Sequence, residues 1–120
     1  MEAKIYGPLE LPSGRKIKFR APTGKDRLDV IRMLRVTQDN LLGAGLLIDQ
    51  YLKAKVVVEI DGQKVAEDYR YLFDSWPLED VDFYSAVFNE LFGGSQETQE
   101  KARDVARFLR DSLTSTALPQ

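Results

Sequence analysis

The stretch Leu11-Pro12-Ser13-Gly14-Arg15-Lys16-Ile17-Lys18-Phe19-Arg20-Ala21-Pro22-Thr23-Gly24-Lys25-Asp26 decides the fold. Pro12 presets φ, Ser13 favours a turn and Gly14 accepts positive φ, so the segment opens as a reversal. Lys16 to Arg20 then alternates strictly. Ile17 and Phe19 fall on one face, and Lys16, Lys18 and Arg20 on the other. With Lys4–Leu11 before it, where Pro8 suits an edge strand, this spells a β-hairpin with one apolar face. Ala21-Pro22 ends the strand. Thr23 followed three residues later by Asp26 spells a capping box that starts a helix, with Asp where Glu is usual.

Leu28, Ile31 and Leu34, backed by Val30 and Met33, carry that helix to about Val36. Thr37-Gln38-Asp39-Asn40 is a polar break. A second helix begins at Leu41 and runs through Leu42, Leu46, Asp49, Tyr51 and Leu52, weakened near its start by Gly43 and Gly45. Around Lys55 the period changes to that of a strand. Val56 to Ile60 leads into Asp61-Gly62, a two-residue hairpin signal because a type I′ turn needs positive φ at both positions. Gln63-Lys64-Val65 is the short return. A helical turn near Tyr69, Leu72 and Phe73 precedes the break at Trp76-Pro77. Leu78 to Phe92 then reads as a firm helix, with Glu79, Asp80 and Asp82 facing its N-terminal dipole and Gly93 as its stop. Gly93-Gly94-Ser95 reads as a hinge. Beyond it Ala102, Val105, Ala106, Leu109 and Leu113 form a narrow apolar stripe on a charged helix, and Thr114 to Gln120 reads as a frayed end.

These elements predict a predominantly helical, single α+β domain with two short β-hairpins. A core over residues 1–93 is followed by a hinged helix and tail over 94–120. At 120 residues the chain fits one domain, and 43% apolar with 30% charged residues argues against wholesale disorder. With no cysteine and no histidine, disulfides, thiolates and the commonest zinc ligand are all excluded, as is the one side chain that titrates near neutrality unaided. The expectation is a protein that is not an enzyme and uses no metal or cofactor. If there were catalysis it would draw on acids such as Asp61, Asp80 and Asp82. No apolar run reaches the roughly 20 residues of a membrane span, and the N-terminus lacks a signal-peptide core, so the sequence leads us to expect a cytoplasmic protein without membrane contact.

Charge is segregated. Residues 1–36 hold nine Lys/Arg against four Asp/Glu, and residues 37–94 hold four against eleven. A polarised domain of this kind can dock on copies of itself, whereas two solvated faces are the plainer reading.

Chemistry-bearing patterns are few. Gly24-Lys25 lacks the phosphate loop's earlier glycine, since Phe19 stands there, and Asp26 follows where Ser or Thr is needed. Glu59, Asp61, Gln63, Glu67 and Asp68 bracket a glycine, but it comes too early for a calcium loop, and a hairpin turn is preferred. The cationic strand face has no aromatic for base stacking, so nucleic acid is not expected. Phe83, Tyr84, Phe88 and Phe92 spread around the helix more widely than one buried stripe requires. Either one flank meets a partner or the helix is buried on two sides. These four, with Val105 and Leu109 on the last helix, are the candidate partner-binding residues.

The order of Leu11 to Gly14, Arg20 to Thr23, Val56 to Gly62 and Asn89-Glu90-Leu91-Phe92-Gly93 resembles the tail assembly chaperones of long-tailed bacteriophages, over about residues 9 to 93. Such proteins are small and non-enzymatic. They bind the long, largely helical tape measure protein before the tail tube polymerises around it, and many self-associate. The resemblance therefore implies a host-cytoplasmic chaperone that binds a tape measure or other tail protein and forms homo-oligomers. The same opening also resembles small baseplate and hub proteins of contractile-tailed phages, which would place the chain in the virion tail or baseplate as a structural component. The cysteine pairs of some of those relatives are missing here.

Overall fold

The structure, a computed structural model, describes residues 4–35, 39, 41–93 and 96–115. Its elements run β1 (Ile5–Glu10), β2 (Lys16–Arg20), α1 (Gly24–Leu34), α2 (Leu41–Lys55), β3 (Val57–Ile60), β4 (Gln63–Lys64), a 3₁₀ helix (Tyr69–Ser75), α3 (Leu78–Phe92) and α4 (Gln96–Ser115). The α+β class and both hairpins are present. The hairpins are not separate, however: β2 pairs antiparallel with β3, Ile17 opposite Ile60, so all four strands form one sheet in the order β1-β2-β3-β4. This joining buries one apolar face where two isolated hairpins would be marginal.

The turn chemistry is realised as read. Leu11 N–H donates to Arg15 O (2.7 Å) and Gly14 N–H to Leu11 O (2.8 Å), closing the first turn. Asp61 (φ 50°) and Gly62 (φ 81°) are both left-handed, as a type I′ turn demands. On β1 the register shifts between Tyr6 and Leu9. Gly7 sits there at φ 118°, and a Cβ would lie 2.7 Å from Ile17 O, so only glycine lets the two strands approach.

Thr23 caps α1 as the spacing predicts. Asp26 N–H donates to Thr23 Oγ1 (3.2 Å), and Thr23 N–H donates back to Asp26 Oδ2 (2.9 Å). The helix ends at Leu34, with Arg35 capping it in the left-handed conformation. Its inward face also differs from the expected Leu28-Ile31-Leu34 stripe. Val30 and Asp26 are buried, while Leu28 is 49% exposed. Asp26 sets this rotation: its carboxylate is gripped by both nitrogens of the Arg20 fork (2.6 and 2.8 Å) and approached by Lys55 (3.4 Å), which draws that side of the helix onto the sheet and α2.

The core lies between the sheet and α3. Phe19, Ile17 and Val57 from the strands meet Tyr84, Phe88, Leu72 and Trp76. Phe19 and Tyr84 pack edge to face with centroids 5.1 Å apart, and Phe88 and Phe92 do so at 4.9 Å. On α2, Leu52 and Ala54 are buried, but Leu46, expected on the helix's apolar pattern, is 81% exposed, as is Leu47 beside it at 51%. α4 stands apart from this core. Every side chain from Thr98 to Asp111 is exposed. A 20-residue helix is about 30 Å long, and the molecule is drawn out to 64 × 32 × 28 Å. The proposed hinge at Gly94-Ser95 and the tail beyond Ser115 lie outside the described residues.

Candidate functional site

Two buried carboxylates hold the frame on which the surfaces are displayed. Asp80 accepts hydrogen bonds from Ser13 N–H (3.0 Å), Ser13 Oγ (2.5 Å) and Arg15 (3.2 Å), and it is fully buried. Burial alone would push its carboxyl up, yet the two Ser13 bonds and the Arg15 guanidinium hold it below the usual carboxylate range. Arg15 also lies over the Trp76 ring at 4.7 Å. The Leu-Pro-Ser-Gly turn is thereby clasped to the first turn of α3. Asp26 is the second such group: the Arg20 fork, against burial and with help from Thr23, holds its carboxyl well below the usual range.

The aromatic set divides on inspection. Tyr84 and Phe88 are core residues at 0% and 4% exposure, which removes them from the candidate partner-binding set. Their rings face the sheet and α2. The Tyr84 hydroxyl donates to Lys53 O (2.8 Å), satisfying one of the carbonyls that the end of α2 leaves unpaired, and burial pushes the phenol up. Phe92 is half-buried against Tyr6 and Phe19, and lines a shallow groove with Pro22, Thr23, Arg27 and Leu52. Only Phe83 faces outward, at 42% exposure, among Glu79, Asp82 and Glu90. The helix is thus buried on one broad side, and its aromatic spread reflects packing against the sheet, the 3₁₀ helix and α2 together.

Val105 and Leu109 are uncovered, at 53% and 56% exposure, and so are Phe108 (69%) and Leu113 (73%). With Ala102 and Ala106 they make one apolar stripe along α4. The four large ones are separated from the core's aromatic residues, so the structure brings together Val105 and Leu109, but not with Phe83. The sequence reading overlooked Lys53. This lysine is 1% exposed, with Nζ 2.7 Å from Asp49 and 5.7 Å from the Phe88 ring centroid. The signal was there: Asp49 precedes it by one helical turn, the spacing that lets an acid cover a lysine.

The acids that catalysis would have drawn on do not converge. Asp61 accepts from Lys16 N–H (2.8 Å) at the start of β2, tying the second hairpin's turn to the first hairpin, Asp80 is occupied by the clasp, and Asp82 is exposed. Among the described residues no group of three or more Asp or Glu is placed to hold a metal ion. No described helix is long and apolar enough to cross a membrane. The surfaces that stand out are therefore apolar and charged helix faces. Against protein-family models, curated proteins and solved structures alike, the chain gives no match.

Proposed function

We propose that this chain is a non-enzymatic phage tail assembly chaperone that binds the tape measure protein in the host cytoplasm and self-associates while doing so. The observation that carries the reading is the uncovered stripe of α4: Val105, Phe108, Leu109 and Leu113 each expose about half or more of their surface on a helix that leaves the core. Helical stability in proteins comes mostly from packing of an amphipathic face, so α4 gains most from a partner along its apolar side. An amphipathic helix binds another helix through anchors at i, i+3, i+4 and i+7, the spacing of Ala102, Val105, Ala106 and Leu109. A long helical client offers many such sites in series, so contacts that are individually weak add up by repetition.

The test is quantitative mass spectrometry of this chain in producing cells and in purified particles. Abundance in cells with absence from particles is the expected result. Stoichiometric presence in particles would overturn the chaperone reading and make the chain a structural baseplate or hub component.

A further inference from the structure

The charge segregation resolves, in the structure, onto two helix faces of comparable length. On α1 the outward side carries Lys25, Leu28 and Arg32, spaced 3 and 4 residues apart and so aligned in one row, with the exposed cap residue Arg35 following at the helix end. Leu28 is half exposed, and Lys25 and Arg32 are 81% and 72% exposed. Asp29 is the acid at this face, pairing Lys25 at 2.9 Å and lying 3.7 Å from Arg32. The other acid of α1, Asp26, is turned inward and held by Arg20. Two cationic charges are left in surplus around an apolar centre.

On α3 the outward side carries Glu79, Phe83, exposed Ala86 and Glu90 in one row, with Asp82 beside it. This helix contains no Lys or Arg, and its remaining acid, Asp80, is consumed by the clasp. Three anionic charges are left in surplus around Phe83. No described ion pair joins α1 to α3 within the chain. With Arg35 included, each row spans about 15–17 Å at 1.5 Å per residue.

We infer that the outer face of α1 docks on the outer face of α3 of a second copy of this chain, Leu28 meeting Phe83 inside a ring of opposed charges. Other macromolecules could satisfy one face or the other. A second copy satisfies both at once, with opposite sign, comparable length and an apolar centre on each side. Charges disposed in this way steer encounter and fix orientation, while the buried apolar pair supplies the short-range attraction. The inference stands whether or not the client is a tape measure protein, because it concerns the purified chain alone.

The test is sedimentation velocity of the full chain at low ionic strength, with two double variants, Arg32→Glu/Arg35→Glu and Glu79→Lys/Asp82→Lys. The wild-type chain is expected to associate with rising concentration, and each variant to weaken that association by about tenfold or more. An equimolar mixture of the two variants should associate again, because one now presents two acidic faces and the other two basic ones. Circular dichroism checks the fold of each. Should a double variant lose its helical signal, Arg35→Glu and Glu90→Lys repeat the exchange with single changes. A wild-type monomer at low salt would overturn the inference and leave these faces to a different macromolecule. So would association indifferent to the reversals, or a mixture that stays monomeric.

Discussion

Asp80 and Asp26 are the side chains on which most of the tertiary arrangement turns, and both do their work as anions. Asp80→Ala would strand the Ser13 amide and hydroxyl and the Arg15 guanidinium, releasing the first hairpin from α3. The expected loss is about 3 kcal/mol, the scale for breaking a buried charged contact from one side, read as a lower urea midpoint. Acid should act on both together. Their carboxyls lie below the usual range in the folded chain, so the unfolded state binds the proton first. Their stabilisation is complete above the ordinary carboxylate pKa of about 3.9 and is lost as pH falls toward the folded values. The denaturation midpoint should therefore drop steeply between about pH 4 and pH 2. Asp26→Asn should be less stable at pH 7 and show a shallower drop; an unchanged slope would mean that other groups govern acid sensitivity.

Helices α3 and α4 separate what aromatic and aliphatic patterning can mean. Phe88 is core, so Phe88→Ala should cost about 3–5 kcal/mol, measurable by chemical denaturation, and any loss of binding would follow from unfolding. Val105→Asp with Leu109→Asp should leave the core's stability within about 0.5 kcal/mol while, under the proposed function, abolishing capture of a tape measure protein in co-expression. How far each element was legible depended on whether its determinants were local. The Thr23–Asp26 box, the Asp61-Gly62 turn and the α4 stripe are written in spacing alone and appear where that spacing puts them. The rotation of α1 was not legible, because it is set by Arg20 and Lys55, six and twenty-nine residues from Asp26 in the chain. The clasp spans sixty-seven residues from Ser13 to Asp80, and nothing in either neighbourhood announces the other. The same holds for Tyr84, whose burial follows from the end of α2 lying across it.

Taken as a whole, the chain is a dipolar body with an apolar arm. If association runs through α1 and α3, raising salt from about 0.01 M to about 0.5 M shortens the Debye length from roughly 30 Å to under 10 Å and should shift the sedimentation profile toward monomer. Client capture through the α4 stripe should persist over the same range, since apolar contact is not screened. The two measurements thus separate self-association from client binding. The sheet adds a constraint of a different kind. Its outer strands are β1, where Pro8 offers no amide and the Gly7 bulge breaks the ladder, and β4, only two residues long. Both margins are thereby poor templates for another strand. If copies of this chain associate, strand addition at these two margins is a poor route for it, which disfavours growth into cross-β fibres.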